Sequence, residues 1–331
     1  MARSGGNQKL RLLYLYEIFY TRTDEQHPLS RGEIGDLLLS QYDIQIERKT
    51  FYDDIEYLKT FGADITKSGR GKYFLASRKF ELPELHLLVD AIQSSHFITE
   101  KKSRTLIEKL SALCSNYEAS QIKNNVRLSK RNKTVNEGIF YNIDAIYRAI
   151  SEGKQLSFRY FNWDFVDGKL QRAYRRDGEN YTVSPFAVTW DDEKYYLIAF
   201  DAEADALRHY RVDKMESLSL VNKAREGQKL LEHFDSGAYT NQHFGMFGGK
   251  TTKVTLRFDK KMLGVAIDRF GKDAFFRPDG EDHFLLITEV TISPQFFGWL
   301  CSLEDAVELL EPESAVAELK NLICSLQKLY F

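Results

Sequence analysis

The sequence predicts a multidomain α+β chain: helices and a hairpin first, then a helical connector, a small β-barrel and a C-terminal α+β module. Three observations predict it. The 331 residues exceed what one ordinary core organises. Apolar residues recur at helical spacing up to about residue 128, and from Gln155 they give way to short strands. Asp167-Gly168, Asp177-Gly178 and Asp191-Asp192 punctuate those strands as turns. The expected domains are 1–80, 81–140, 141–222 and 223–331.

The first helix is expected from about Lys9 to Tyr20, with Leu12, Leu13, Tyr16 and Phe19 on one side. Ser30-Arg31-Gly32-Glu33 reads as a capping box opening a helix through Ile34, Leu37 and Leu38. In Glu47–Phe61 the residues Phe51, Ile55 and Leu58 form one buried stripe, and Gly62 stands where a left-handed residue ends a helix. Asp64–Lys67, a Gly-rich turn and Lys72–Leu75 make a hairpin. Residues 82–128 read as helical, with stripes at Leu85, Leu88, Val89, Ile92 and at Leu106, Leu110, Leu113. Between Glu118 and Glu137 there is no acidic residue, while Lys123, Arg127, Lys130, Arg131 and Lys133 make a basic connector.

Asn142 is expected to cap a helix that Gly153 closes. Five strands follow, at 156–161, about 170–176, 181–190, 194–201 and 207–212, which suggests a small barrel. The remainder alternates strand and helix: 253–258, 262–270, 284–292, a helix from Phe296, 307–310 and a closing helix over 313–329.

Composition bounds the function. Hydrophobic content of 43% and charged content of 28% fit a soluble globular protein. The 18 Tyr and 23 Phe suit strand-rich domains. A net charge of -2 does not itself favour nucleic acid, so the placement of positive charge decides. Cys114, Cys301 and Cys324 show no disulfide or zinc spacing, so a reducing cytoplasm is expected. The polar start lacks a signal-peptide core, and no apolar run approaches a membrane span.

Three helices followed by a hairpin are the outline of a winged helix-turn-helix, whose later helix enters the major groove of double-stranded DNA. With Phe51 buried, Arg48, Lys49, Thr50 and Tyr52 lie on or near the exposed side of that helix. Arg and Lys pair with guanine acceptors, and Thr and Tyr bond phosphates. Lys67, Arg70 and Lys72 put positive charge on the wing. The alternatives are a solvated helix face or a winged helix used for protein contacts; coincidence of helix and wing charge favours DNA.

This region resembles the DNA-binding domain of DeoR-like and WYL-family regulators, whose recognition helix typically reads Ser-Arg-Arg-Thr-Ile-Tyr-Arg-Asp-Ile. Here it reads Glu47-Arg48-Lys49-Thr50-Phe51-Tyr52-Asp53-Asp54-Ile55. Glu47 replaces a small polar residue and Asp53 an arginine, and both lower phosphate affinity. Four later stretches resemble the WYL domain in order: Leu156–Tyr160, Val183–Ala187, Tyr195-Tyr196-Leu197 with Tyr195 for tryptophan, and Arg208–Met215 with Lys214 where Arg is common. Phe296–Leu300 and Val307–Pro312 resemble the C-terminal extension of WYL proteins, which often contributes to dimer contacts or shapes the ligand site.

The resemblance implies an Sm-like barrel that senses a ligand, nucleotide or nucleic acid. Arg208, His209 and Arg211 beside Tyr160 and Tyr195 fit that chemistry, since phosphate pairing and base stacking need cations and aromatics together. The alternative is structural: Arg208 shares a face with Tyr210 and Val212 and can be a buried strut paired to a carboxylate such as Asp213.

No P-loop, Gly-x-Gly-x-x-Gly, His-Glu-x-x-His or Gly-x-Ser-x-Gly is present. The seven histidines are dispersed, so neither an enzyme nor a metal or cofactor site is expected. The acidic cluster Asp53, Asp54 and Glu56 is the one feature an alternative, metal-dependent processing of nucleic acid, would use. The expectation is a cytoplasmic homodimer regulating transcription, two helices on two half-sites, with DNA affinity set by an effector. A non-catalytic nucleic-acid binder of phage defence or DNA-damage response is the other reading.

Overall fold

The computed structural model describes residues 7–125, 138–232 and 234–330. The Arg70 side chain and residues 126–137, which hold most of the expected basic connector, lie outside the described residues. Contacts divide the chain into two compact units at Val135 and Asn136. The first two expected domains fall essentially in one unit and the last two in the other.

The first unit begins with α1 (Asn7–Arg22), β1 (Leu29–Ser30), α2 (Arg31–Tyr42) and α3 (Arg48–Phe61). The antiparallel hairpin β2 (Ile65–Ser68) and β3 (Lys72–Leu75) follows, and β1 pairs with β3 to complete a three-stranded sheet. The capping box forms as expected: the Glu33 amide donates to Ser30 Oγ, and the Ser30 amide donates to the Glu33 carboxylate. Gly62 ends α3 at φ 107°, a conformation that L side chains rarely adopt. The core joins Leu15, Ile18 and Phe19 to Ile34, Leu38, Phe51, Ile55 and Leu58. Each such side chain, fully buried, contributes about 1.5–3 kcal/mol. The α1 stripe is rotated from the expected one: Leu15 and Ile18 face inward and Leu13 is 64% exposed. Positions 15, 18 and 19 share one helical face with Leu12, and Leu13 stands off it.

Residues 82–125 form three helices, α4 (Leu82–Ser94), α5 (Glu100–Ser111) and α6 (Asn116–Asn125), around Leu85, Val89, Ile107 and Ile122. Leu88, expected in that stripe, is exposed. Side chains lock this helical layer to the first three helices. Ser115 Oγ donates to Asp24 Oδ2 at 2.6 Å, and the Tyr20 hydroxyl donates to the Leu113 carbonyl at 3.1 Å. The Arg78 guanidinium donates to the carbonyls of Tyr20, Thr23 and Leu75. Burial works to raise the Asp24 pKa, but hydrogen bonds from Ser115 and His27 outweigh it and hold the carboxyl below its usual range.

The second unit opens with α7 (Gly138–Glu152), four residues earlier than Asn142. Asn142 therefore sits within the helix rather than capping it, and its amide donates to the Met215 carbonyl at 3.1 Å. Gly153, at φ 63°, turns the chain into β4 (Lys154–Val166). Then come β5 (Lys169–Tyr174), β6 (Tyr181–Asp191), β7 (Lys194–Asp201), β8 (Ala206–Arg211) and β9 (Met215–Ala224). The antiparallel order is β5-β4-β6-β7-β8, and β9 also pairs β4, so the sheet curls around a core of Leu156, Phe158, Leu197 and Val212, while Ile198 packs on the other face with Met246. Phe158, Tyr160, Tyr181 and Tyr210 pack their rings together at one end of it.

Short helices α8 (Gln228–Leu231) and α9 (Ser236–Gln242) lead to β10 (Thr251–Asp259), α10 (Leu263–Phe270), β11 (Phe275–Asp279), β12 (His283–Thr291), α11 (Pro294–Cys301), β13 (Val307–Glu311) and α12 (Glu313–Tyr330). The strands form an antiparallel sheet in the order β11-β12-β10-β13. Its core gathers Val254, Leu256, Phe258, Leu286, Phe296 and Leu300, with Trp299 packed against it. No helix of the described residues is long and apolar enough to cross a membrane.

Candidate functional site

Helix α3 starts at Arg48, so its first turn carries Arg48, Lys49 and Thr50 beside backbone amides that have no intrahelical acceptor. Arg48 and Lys49 are exposed, Thr50 is half-buried and Tyr52 is 39% exposed. The opposite face is fixed by packing and by one ion pair. Asp54 is buried, and Arg11 of α1 donates to both its oxygens, at 2.6 and 3.0 Å. The acidic trio therefore does not converge, because Asp54 points inward while Asp53 and Glu56 are exposed. Tyr52 and Tyr73 of the hairpin both pack edge-on against the Phe51 ring. Lys67 on β2 is exposed, whereas Lys72 on β3 is half-buried close to the Glu33 carboxylate. The same unit thus presents cations at the start of one helix and on the hairpin beside it.

The second unit holds a cavity of about 510 Å³ at the aromatic end of the curled sheet. Of the five residues expected there, Arg208 and His209 line it and Tyr160, Tyr195 and Arg211 do not. Arg208 is exposed and has no carboxylate partner among the described residues, so the strut role expected of it falls instead to Arg211. Arg211 forks onto both oxygens of Asp213 at 3.0 and 2.7 Å. Tyr160 is buried, and its hydroxyl accepts from the Arg211 amide. Tyr195 packs edge-on against Trp190 across the β6–β7 hairpin.

His209 faces the cavity with both nitrogens engaged. Nδ1 lies 2.8 Å from the Met246 carbonyl, which only accepts, so Nδ1 carries the proton. Nε2 then accepts from the Tyr239 hydroxyl at 2.8 Å. Burial, with the neighbouring His243 and Arg208, lowers the His209 pKa to about 4, so the ring is neutral near pH 7. Burial likewise pushes Tyr239 up to about 12, which keeps it a donor. The cavity's positive charge therefore comes from guanidinium groups alone.

Two of those groups were not anticipated. Arg175 and Arg176 occupy the turn after β5, and both line the cavity with Arg208. Arg175 lies over the Tyr160 ring at 5.4 Å and Arg176 over the Tyr181 ring at 4.1 Å. Asp201, buried on the wall, accepts from the Tyr210 hydroxyl at 2.9 Å. Burial, then this bond to Asp201, raises the Tyr210 pKa. Tyr239, His243 and Met246 close the far wall from beyond residue 222. A basic pair ahead of Asp177-Gly178 was the available sequence signal for Arg175 and Arg176. Nothing local pointed to Tyr239 or His243. The chemistry on offer is phosphate pairing by free guanidinium groups beside aromatic rings and one buried acceptor.

None of the curated proteins compared matches this chain. Similar solved structures include proteasome accessory factor B/C (PafBC) of Arthrobacter aurescens, at 20% identity and a TM-score of 0.30, covering 95% of this chain and 47% of that one. The chain thus spans about half the length of PafBC. Another is a CRISPR Cas-related protein, at 14% identity and a TM-score of 0.37, covering 74% of this chain and 72% of that one. Family comparison is more direct: residues 141–220 match the WYL domain and residues 250–325 the WCX domain. The chain carries a WYL domain followed by a WCX domain.

Proposed function

We propose that this protein is a sequence-specific DNA-binding transcriptional regulator whose DNA affinity responds to an anionic ligand, a nucleotide or short single strand, in the WYL cavity. In this reading the N-terminal unit is a winged helix-turn-helix, α3 is the recognition helix, the β2–β3 hairpin is the wing, and the curled sheet is an Sm-like barrel. The observation that carries it is the joint exposure of Arg48 and Lys49 on α3 and Lys67 on the hairpin of one unit. Helix N-terminal cations read base edges and hairpin cations hold the backbone. The ligand half rests on Arg175 and Arg208, which line the cavity without acidic partners among the described residues. A ligand changes DNA affinity only by favouring one arrangement of the protein, and DNA must then change ligand affinity by the same factor.

The reading includes a cytoplasmic homodimer on paired half-sites and no catalysis. Sedimentation should give twice the 38.4 kDa chain mass. Chromatin immunoprecipitation followed by binding of the purified protein to the recovered site tests the function. Arg48→Ala or Lys49→Ala should each weaken that binding by roughly 1–3 kcal/mol if the side chain forks onto a base. Unchanged binding by the double variant would remove α3 as the reader. Metal-dependent cleavage of labelled DNA would instead favour a processing enzyme.

A further inference from the structure

Arg175, Arg176 and Arg208 all line the cavity, but they are not equally free to bind an anion. Arg175 and Arg208 have no carboxylate partner among the described residues. Arg176 has two. Its Nη1 lies 2.7 Å from Glu203 Oε2, and its Nη2 lies 3.7 Å from Asp201 Oδ2. The backbone enforces this placement. Arg176 and Asp177 both adopt the left-handed conformation, at φ 53° and 52°, which disfavours L-residues. The Glu179 amide closes the turn by donating to the Arg176 carbonyl at 2.8 Å. The guanidinium is therefore aimed over the Tyr181 ring and at the two carboxylates.

The two carboxylates differ in freedom. Asp201 is buried and fixed by the Tyr210 hydroxyl and the Glu203 amide. The Glu203 side chain stands 73% exposed on the connection between β7 and β8, and its carboxylate is held by Arg176. A rotamer change takes it into water, and an exposed ion pair of this kind is weak. A phosphate offers Arg176 a stronger, forked partner at the same place. We propose that Glu203 is a built-in competitor of the anionic ligand for Arg176, and so sets the ligand concentration at which the WYL cavity fills. This rests on the cavity being the ligand site. Loss of Glu203 opens Arg176 Nη1 to the ligand, while Nη2 stays beside Asp201. A terminal phosphate, with its higher charge, displaces the carboxylate better than an internal phosphodiester.

The test titrates a fluorescently labelled, 5′-phosphorylated oligodeoxythymidine against the full-length protein. Glu203→Gln should lower its Kd about threefold to fivefold at low salt, the worth of an exposed ion pair, with the gain shrinking as salt rises. In an Arg176→Ala background the same change should do nothing. Arg208→Ala should weaken binding in every background. If Arg208→Ala weakens binding but Glu203→Gln does not tighten it, the competitor role is overturned and the cavity remains the site. A gain that persists without Arg176 also overturns it, since Glu203 would then act by general repulsion. If the wild-type protein does not bind, or Arg208→Ala binds equally well, the cavity reading fails and takes the competitor with it.

Discussion

Asp53 and Asp54 are adjacent, identical in chemistry and opposite in role. Asp54 falls three residues after Phe51 and four before Leu58, on the buried stripe of α3, and Arg11 meets it there with two hydrogen bonds. Replacing Asp54 by Ala strands the Arg11 guanidinium and should destabilise the first unit by about 3 kcal/mol. Asp53→Ala should change stability by no more than about 0.5 kcal/mol, as exposed substitutions do. Denaturant unfolding of the two variants checks both, and equal midpoints would show that the pair carries no stability. The sequence grouped Asp54 with Asp53 and Glu56 as one acidic cluster; the helical period separates them, and the partner that holds Asp54 inward lies 43 residues away. Arg208 teaches the converse. Strand alternation placed it with Tyr210 on one face, yet β8 lines the open cavity from Ala206 to Tyr210, so a nominally inward arginine reaches solvent.

At the scale of elements, helices α2 and α3 were legible because caps and stripes are local signals. Strand β9 was not. Of its ten residues only Met215 is buried: Leu218 and Leu220 alternate with exposed Ser217 and Ser219 but are only half-buried, and the register against β4 shifts near Ser217, which stands at φ 53°. The break at Ser95–Thr99 that divides α4 from α5 was also missed, since Thr99 caps α5 by accepting from the Lys102 amide without any glycine or proline to mark it. The hairpin carries a prediction about unequal lysines. Lys67→Ala should lower the salt slope of DNA binding by about one unit for every sequence tested, the signature of a phosphate contact. Lys72→Ala should lower it by less, because Lys72 is half-buried where Lys67 is exposed. A shift in sequence preference at constant slope would reassign Lys67 to base reading. The junction between α1 and α6 carries another. Ser115→Ala removes a donor from the Asp24 carboxylate and should cost about 1.5–3 kcal/mol, measured as thermal unfolding of the first unit.

At the scale of the whole molecule, each unit has its own core, so unfolding need not be a single transition. Acid should act on the second unit through His209. Its folded pKa of about 4 lies below the ordinary unfolded value near 6.5, so the unfolded chain binds the proton first as pH falls. The stability from keeping this ring neutral is complete above pH 6.5 and declines as pH falls towards 4, by up to about 3 kcal/mol. His243, lowered by burial, adds in the same direction. Replacing His209 by Gln should flatten the loss between these pH values, and a variant with the wild-type slope would assign the acid response elsewhere. Four domains were expected, whereas contacts divide the chain into two units between Val135 and Asn136, ahead of the change of periodicity near Gln155. The cavity could not be anticipated, because its wall is assembled from residues 175 to 249, and no spacing rule connects Arg175 with His243.

The bonds from His209 to Tyr239 and Met246 cross the end of the WYL match at residue 220. A fragment trimmed to that match would still contain the guanidinium groups, but it would lose the side of the chamber made by Tyr239, His243, Met246, Gly248 and Gly249. The histidine would then face water, and its neutral state would have no reason to persist. The smallest fragment that keeps the chamber whole therefore ends no earlier than Gly249. There any side chain would strike the Ile292 carbonyl, which lies beside the chain just after β12, with a β-carbon only 2.1 Å away. Anyone grafting this chamber onto another protein must therefore carry the chain at least through Gly249, whose close approach to Ile292 ties that wall to the residue following β12.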